Sequence, residues 1–182
     1  MKLHLGCGKK FLPNFIHIDL DDYPHIDYKS SISDLSMFED NSIELIYCCH
    51  SFEYFDREEA VKVLREWYRV LKQGGIIRLA VPNFEVLSRI YNDTMDINKV
   101  LGPLYGKIVI KRGKNNRTIY HKTTYDFKSL GALLMSVGFK SVHTYDWRRT
   151  VHKDYDDFSQ SYYPHLDKEH GTLISLNVEG TK

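Results

Sequence analysis

Two short apolar runs at the start of the chain leave little choice of fold. Lys2 to Leu5 stops at Gly6-Cys7-Gly8, and Phe15 to Ile18 ends on Asp19. Both read as strands by apolar density and flanking breakers. Only nine residues, Gly6 to Asn14, lie between them. Parallel neighbours normally need a crossover of a dozen residues or more, usually containing a helix. This crossover is therefore nearly extended, or holds about one turn. Glycines after one strand and an acid at the tip of the next are how parallel sheets hold a nucleoside.

Strand-like and helix-like patterns alternate downstream. Asp21 to Lys29 is polar and reads as loop, and Ser31 to Leu35 is a short apolar-edged piece carrying Asp34. Ile43 to Cys49 is a near-continuous apolar run, as in a parallel strand covered on both faces. Asp56 reads as an N-cap with Glu59 as its capping-box partner. Ala60, Leu64, Trp67 and Leu71 repeat at helical spacing between Arg57 and Lys72, and Gly74-Gly75 reads as the stop. Ile76 to Val81 is the next strand, and Phe84, Leu87 and Tyr91 mark a second helix. Asn92 to Lys122 breaks the rhythm, with a weak hairpin pattern turning at Gly113 to Asn116. Helical spacing returns from Phe127 to Val137, ended by Gly138. Phe139 to Tyr145 and Leu173 to Val178 are the last strands, and Arg148 to Glu169 reads as a long loop between them. The alternation predicts an α/β fold with a mainly parallel sheet, in a single domain over 1–182 with an insert at 92–122.

Composition narrows the function. The chain has 182 residues, 42% apolar and 27% charged, as in ordinary globular proteins. A formal net charge of +1 gives no global field to attract nucleic acid or an anionic membrane. No apolar run approaches the roughly 18 residues of a membrane span. The first strand begins almost at Met1, so no leader is expected. Cys7, Cys48 and Cys49 are an odd number with an adjacent pair, which suits a reducing cytoplasm better than a disulfide framework. Without CxxC or HExxH, no zinc site is expected.

The glycines do not form a phosphate cradle. That needs G-x-G-x-x-G opening a helix whose N-terminus faces a pyrophosphate. Here Phe11 takes the third position and there is scarcely room for the helix. Asp19 follows Gly8 by 11 residues, where the dinucleotide fingerprint expects about 20. Each departure weakens a nicotinamide or flavin dinucleotide, and with it an oxidoreductase. None harms S-adenosylmethionine. Its methionine half needs close backbone approach, which Gly6 and Gly8 permit. Its ribose needs an acceptor such as Asp19, and its adenine amino group another, such as Asp34.

The same residues carry a family resemblance. LHLGCG at 3–8, IDL at 18–20, SDLSMFEDNSIELIYCCHSFEYF at 33–55 and VLKQGGIIRLAVP at 70–82 resemble class I S-adenosylmethionine-dependent methyltransferases. LLMSVGF at 133–139 and SLNVEGTK at 175–182 resemble that family's last helix-strand and closing strand. The opening is most similar to a type 11-like bacterial subgroup with a shortened first crossover. The resemblance implies a Rossmann-like three-layer sandwich. Its seven-stranded, mostly parallel sheet has the order 3-2-1-4-5-7-6, with the last strand antiparallel and the first helix reduced or absent. It implies S-adenosylmethionine as cofactor, S-adenosylhomocysteine as product, and a site of Leu5, Gly6, Cys7, Gly8, Asp19, Leu20, Asp34, Leu35 and His50. His4 departs from the pattern, which has an acid two residues before the first glycine. An N-terminal helix that often covers the cofactor is also unmatched, so the insert is expected to act as the lid.

Methyl transfer is an in-line displacement for which the protein positions a nucleophile and excludes water. A general base is needed only for a hydroxyl or a protonated amine. His50 and His121 are the candidate bases, although packing against the cofactor is the commoner role for His50 and a solvated loop for His121. Glu53 either orients His50 or is a surface acid. Tyr54, Tyr120 and Tyr125 are candidate pocket walls. Lys107, Lys111, Arg112, Lys114, Arg117 and Lys122 form a basic run without an intervening acid. It is either a solvated hairpin face or a seat for an anionic acceptor, such as a phosphorylated, uronic or nucleotide-linked sugar. The expected substrate is a small molecule or glycan intermediate. The competing reading is a non-catalytic S-adenosylmethionine-binding module of the same fold.

Overall fold

The computed structural model describes residues 1–112 and 115–182, with Lys111, Arg112 and Asn115 described by backbone alone. Lys2–Leu5 (β1) and Ile16–Asp19 (β2) are parallel neighbours, paired from Leu3 with Ile16 to Leu5 with Ile18. The crossover between them contains turns and no helix. Tyr28–Lys29 (β3) adds to β2, and Ile43–Cys49 (β4) pairs with β1 on its other side.

Helix Arg57–Val70 (α1) starts as the sequence predicts. Asp56 accepts from the backbone N–H of Glu58 and Glu59, and Glu59 Oε2 accepts from Asp56 N at 2.9 Å. Such a cap contributes about 1 kcal/mol. Ala60, Val63, Leu64, Trp67 and Val70 form the buried stripe, and Trp67 Nε1 donates to Ile32 O at 2.7 Å.

The end of α1 differs from the expectation. Leu71–Pro82 (β5) follows without a loop. Ile43 pairs with Leu71 but Leu45 pairs with Ile76, so Lys72 to Gly75 bulge out of the strand. Gly74-Gly75 therefore shapes a strand irregularity rather than a helix stop, because Leu71 is drawn into the core beside Ile43.

Helices Phe84–Thr94 (α2) and Asn98–Tyr105 (α3) pack through Leu87, Ile90 and Val100. Ile108–Arg112 (β6) and Asn115–Ile119 (β7) form an antiparallel ribbon. The tip expected at Gly113 to Asn116 falls partly on Gly113 and Lys114, outside the described residues. Asp126 caps Phe127–Val137 (α4) through Ser129, and Gly138 ends it. Lys140–Thr144 (β8), Tyr162–Tyr163 (β9), Thr172–Leu173 (β10) and Ser175–Thr181 (β11) complete the chain.

The main sheet has the order β3-β2-β1-β4-β5-β11-β8, with β11 antiparallel to both neighbours. Counting its seven members alone, this is 3-2-1-4-5-7-6. One face, including Leu3, Leu5, Ile46, Cys48, Leu79 and Val178, packs against α1 and α4. The opposite face presents His4, Tyr47 and Asn177, and its cover is irregular chain instead of helix. His152 stacks on Tyr47 at 4.0 Å, Tyr47 lies 5.3 Å from His4, and His4 meets His17 edge-on at 5.5 Å. Tyr47 OH donates to Asp157 Oδ2, and Asn177 Nδ2 donates to Ser159 O. The 3-10 turns Trp147–Arg149 and Phe158–Gln160 lie within this covering segment. Among the described residues no helix is long and apolar enough to cross a membrane.

Burial pushes the imidazoles of His4 and His152 down, to about 3 and about 4, from an ordinary value of 6.5. Both are neutral in the fold and take up a proton on unfolding below pH 6.5. The contribution of these two histidines is complete above that pH and is lost as pH drops toward 4, by up to about 1.4 kcal/mol per pH unit for each. His152 also leaves both ring nitrogens without a partner. Urea titrations between pH 7 and pH 5 are expected to show the loss, and His152→Phe to be more stable than the natural protein with a shallower slope.

Candidate functional site

The carboxyl ends of β1, β2 and β4 converge on a cavity of about 540 Å³. Gly6 has φ +65° and donates its N–H to Ile18 O at 2.8 Å. A Cβ there would lie 2.3 Å from Ser51 Oγ, which itself donates to Gly6 O. Gly8 N–H donates to Asp19 Oδ2 at 2.8 Å, and Asp21 N–H to Asp19 Oδ1 at 2.8 Å. Asp19 thus ties the turn after β1 to the turn after β2. Each of its oxygens keeps a lone pair for a ligand.

Two walls face each other. Gly6, Gly8, Asp19, Leu20, Ser31 and Ile32 make the sheet wall. Tyr54 and Phe55, at the 3-10 turn Phe52–Tyr54 after β4, begin the opposite wall, and Ile108, Ile110, Arg117, Ile119, Tyr120 and His121 complete it. The cross-strand partners Ile108/Ile119 and Ile110/Arg117 place these side chains on one face of the ribbon. Lys122 is engaged by Glu59 at 2.7 Å, whereas Arg117 has no acidic partner among the described residues.

Gly6, Gly8, Asp19, Leu20 and His121 are the sequence candidates brought together at the cavity. Leu5, Cys7 and Leu35 are buried beside it and do not line it. Burial pushes the Cys7 thiol up to about 12, and its Sγ faces His25 at 4.0 Å. Asp34 is exposed and accepts from Ser36 N. The apolar-edged piece Ser31 to Leu35 contains a turn, and the third strand of the sheet is β3, three residues earlier. Ile32 and Leu35 turn into the core at i,i+3 spacing, and Ser31 and Ile32 take the place at the cavity expected for Asp34. Of the tyrosines, Tyr54 and Tyr120 line the cavity and Tyr125 is core, stacked on Phe52. The side chains of Lys111, Arg112 and Lys114 lie outside the described residues.

His50 stands behind the cavity. It has φ +49°, a left-handed conformation that costs a non-glycine residue about 1 kcal/mol or more. Burial pushes its imidazole down to about 3, with His121 adding to the effect. His121 is likewise held below its usual value by burial, and its ring stands edge-on to Tyr54 at 4.7 Å. Both candidate bases are neutral at pH 7.

Residues 3–79 match the family described as methyltransferase domain. The chain is 28% identical over 127 residues to the ubiquinone/menaquinone biosynthesis C-methyltransferase of Klebsiella pneumoniae, covering 67% of this chain and 49% of that one. It spans between a third and a half of the length of the curated relatives it matches, 32% and 49%. In three dimensions it resembles an S-adenosylmethionine-dependent methyltransferase and possible histamine N-methyltransferase of Thermotoga maritima. The TM-score is 0.61 at 18% identity, over 100% of this chain and 81% of that one. It also resembles the 1,6-didemethyltoxoflavin-N1-methyltransferase of Burkholderia thailandensis, solved with S-adenosylhomocysteine bound. There the TM-score is 0.55 at 13% identity, over 100% and 70%. The fold is the Rossmann-like methyltransferase fold, with its seven-stranded sheet and antiparallel last strand.

Gly6→Ala combines a left-handed backbone with a collision at Ser51, and is expected to cost about 2 kcal/mol or more in chemical denaturation. Adding Ser51→Gly should recover the steric part and leave the backbone part.

Proposed function

We propose that this chain, with its methyltransferase-domain match over residues 3–79, binds S-adenosylmethionine and transfers its methyl group to a small acceptor. The observation that carries the proposal is the backbone cradle of Gly6 and Gly8, tied to Asp19 and open to one cavity whose far wall belongs to the insert. No helix follows the glycines, so no helix N-terminus is aimed at a pyrophosphate. The donor set suits a nucleoside with an amino-acid arm. Asp19, with free lone pairs, would accept from ribose hydroxyls, Leu20, Ser31 and Ile32 would hold the adenine, and Gly6 and Gly8 would leave room for the arm. When bound, the cofactor supplies a methyl group already activated on a sulfonium.

The residues of the chain then have to hold the acceptor and exclude water. Tyr54, Phe55, Ile108, Ile119 and Tyr120 give the acceptor half an apolar, aromatic lining. That lining fits a planar or largely apolar molecule, and Arg117 gives it one cationic point for an anionic substituent. The names of the relatives cover both C- and N-methylation of small molecules, so they support the class of acceptor and leave its atom open. A binding module without turnover would share the cradle. It is separated by incubating the protein and labelled cofactor with cell extract, where label transfer supports catalysis.

Isothermal calorimetry with S-adenosylhomocysteine is expected to give a micromolar Kd. Asp19→Ala should weaken it at least about tenfold, a loss of roughly 1.4 kcal/mol, whereas exposed Asp34→Ala should change it less than about twofold. Unchanged affinity in Asp19→Ala would remove the ribose assignment.

A further inference from the structure

Behind the acceptor wall lies an unresolved electrostatic account. Glu53 is completely buried, and neither of its carboxyl oxygens has a hydrogen-bond partner. Its Oε1 stands 3.5 Å from His50 Nδ1 and 3.5 Å from His121 Nε2. The other nitrogen of each ring is committed, which fixes the tautomers. His121 Nδ1 lies 3.0 Å from Pro103 O, and a carbonyl only accepts, so Nδ1 carries the hydrogen. Asn177 Nδ2 donates to Ser159 O, which turns Oδ1 of Asn177 toward Ser175; the Ser175 hydroxyl donates to it at 2.9 Å. Ser175 Oγ can then only accept from His50 Nε2, at 3.1 Å. With both rings neutral, two bare imidazole lone pairs therefore converge on one oxygen of a fully buried carboxyl.

Such an arrangement needs a cation or a hydrogen on the carboxyl. Among the described residues no group of three ligands is placed to hold a metal ion. Lysine and arginine do not supply the charge either. Lys122 is held by Glu59, and Arg57 by Thr123 and Thr124. The other titratable groups near Glu53, the Cys48 and Cys49 thiols and the Tyr54 and Tyr125 hydroxyls, bring no positive charge. We propose that Glu53 is a neutral carboxylic acid in the folded protein, and that its O–H positions His121 in the acceptor wall. Burial acts the same way on every member, pushing Glu53 up to about 8 and both imidazoles down.

The position of Glu53 gives this proton its reach. Its backbone oxygen accepts from Lys122 N at 2.9 Å and Thr123 N at 3.3 Å, so it also anchors the chain leaving the ribbon. His121 fills the space against Gly106, where a Cβ would fall 1.8 Å from its Nε2. That this wall serves a methyl acceptor rests on the function proposed above; the protonation state does not.

Glu53→Gln keeps the shape and offers an N–H in place of the O–H. The natural protein holds a proton that its unfolded chain releases above pH 4.5, so its stability falls as pH rises toward 8 and then levels. The glutamine variant lacks this limb. Its thermal midpoint, relative to the natural protein, is expected to climb by at least about 5 °C between pH 5 and pH 8 and then stay level. A midpoint below that of the natural protein by a margin that persists or grows with pH would show a lost carboxylate–imidazolium pair and overturn the proposal. Carbon-13 NMR of the glutamate carboxyls in the natural protein decides the matter if the variant does not fold. One carboxyl titrating between pH 7 and 9 supports the proposal, and all titrating below pH 6 overturns it. Nitrogen-15 shifts of His121 read the positioning: Nδ1–H, held by Pro103 O, is expected in every variant, whereas the Nε2 shift is expected to carry the mark of an accepted hydrogen bond in the natural protein and in Glu53→Gln and to lose it in Glu53→Leu. An Nε2 shift that is the same in all three overturns the positioning role, as does tight zinc binding that depends on Glu53. None of these measurements uses a cofactor, so their outcome and that of S-adenosylhomocysteine binding are independent.

Discussion

The rest of the structure depends on how nine residues carry the chain from β1 to β2. A crossover this short cannot house a helix, so its backbone N–H groups need partners outside it. Two side chains of β2 provide them: Gly8 N–H donates to Asp19, and Leu12 N–H donates to His17 Nε2 at 2.9 Å. The second strand thereby holds the connection that leads into it. Asp19 is shaped by this task before any ligand arrives. Two backbone donors already face its carboxylate.

That economy has a consequence on each side of the sheet. The crossover gives no helical cover to the face bearing His4 and Tyr47, and the segment from Asp146 to Ser161 covers it instead. A loop brings unpaired backbone groups with it, so the face it covers has to be polar. His4, Tyr47 and Asn177 stand where the opposite face has Leu, Ile and Val. At the end of the sheet, the cradle is backbone and one carboxylate with little flanking bulk. The far wall comes mainly from the β6–β7 ribbon and the residues that leave it, far away in sequence.

Local rules were the part of this architecture that could be read without coordinates. The capping box at Asp56, the stop at Gly138 and the first two strands appeared as the residue pattern implied, and the strand order of the sheet as the family resemblance implied. The failures are all cases in which distant chain decided. Ser31 to Leu35 has a strand-like composition, but Trp67 binds Ile32 O and draws the segment into a turn. Gly74-Gly75 ends helices elsewhere, but pairing of Leu71 with Ile43 converts it into a bulge. At the cavity, Gly6, Gly8 and Asp19 could be placed from sequence because their positions are set within twenty residues. Ser31, Ile32 and the isoleucines of the ribbon could not, since facing across a cavity leaves no periodic trace. Glu53 was the hardest case: the sequence left it as a partner of His50 or a surface acid, and the structure buries it between His50 and His121.

The two walls consequently differ in what sets them. The sheet wall is fixed by backbone atoms in a parallel sheet, and a side-chain change there acts mainly through the conformation of Gly6 or Gly8. The opposite wall is a two-stranded ribbon, a unit with little stability of its own. Its place over the cavity is set by contacts at its base, where Tyr54 OH donates to Gly106 O, His121 N–H to Tyr105 O and Lys122 N–H to Glu53 O. These contacts use the backbone of Glu53 and His121 and the hydroxyl of Tyr54. On the proposed function, ribbon side chains such as Arg117 and Tyr120 would select the acceptor, while the residues at the base set how far the ribbon stands from the cradle. The proposed proton on the Glu53 carboxyl acts one step behind them, on the ring of His121.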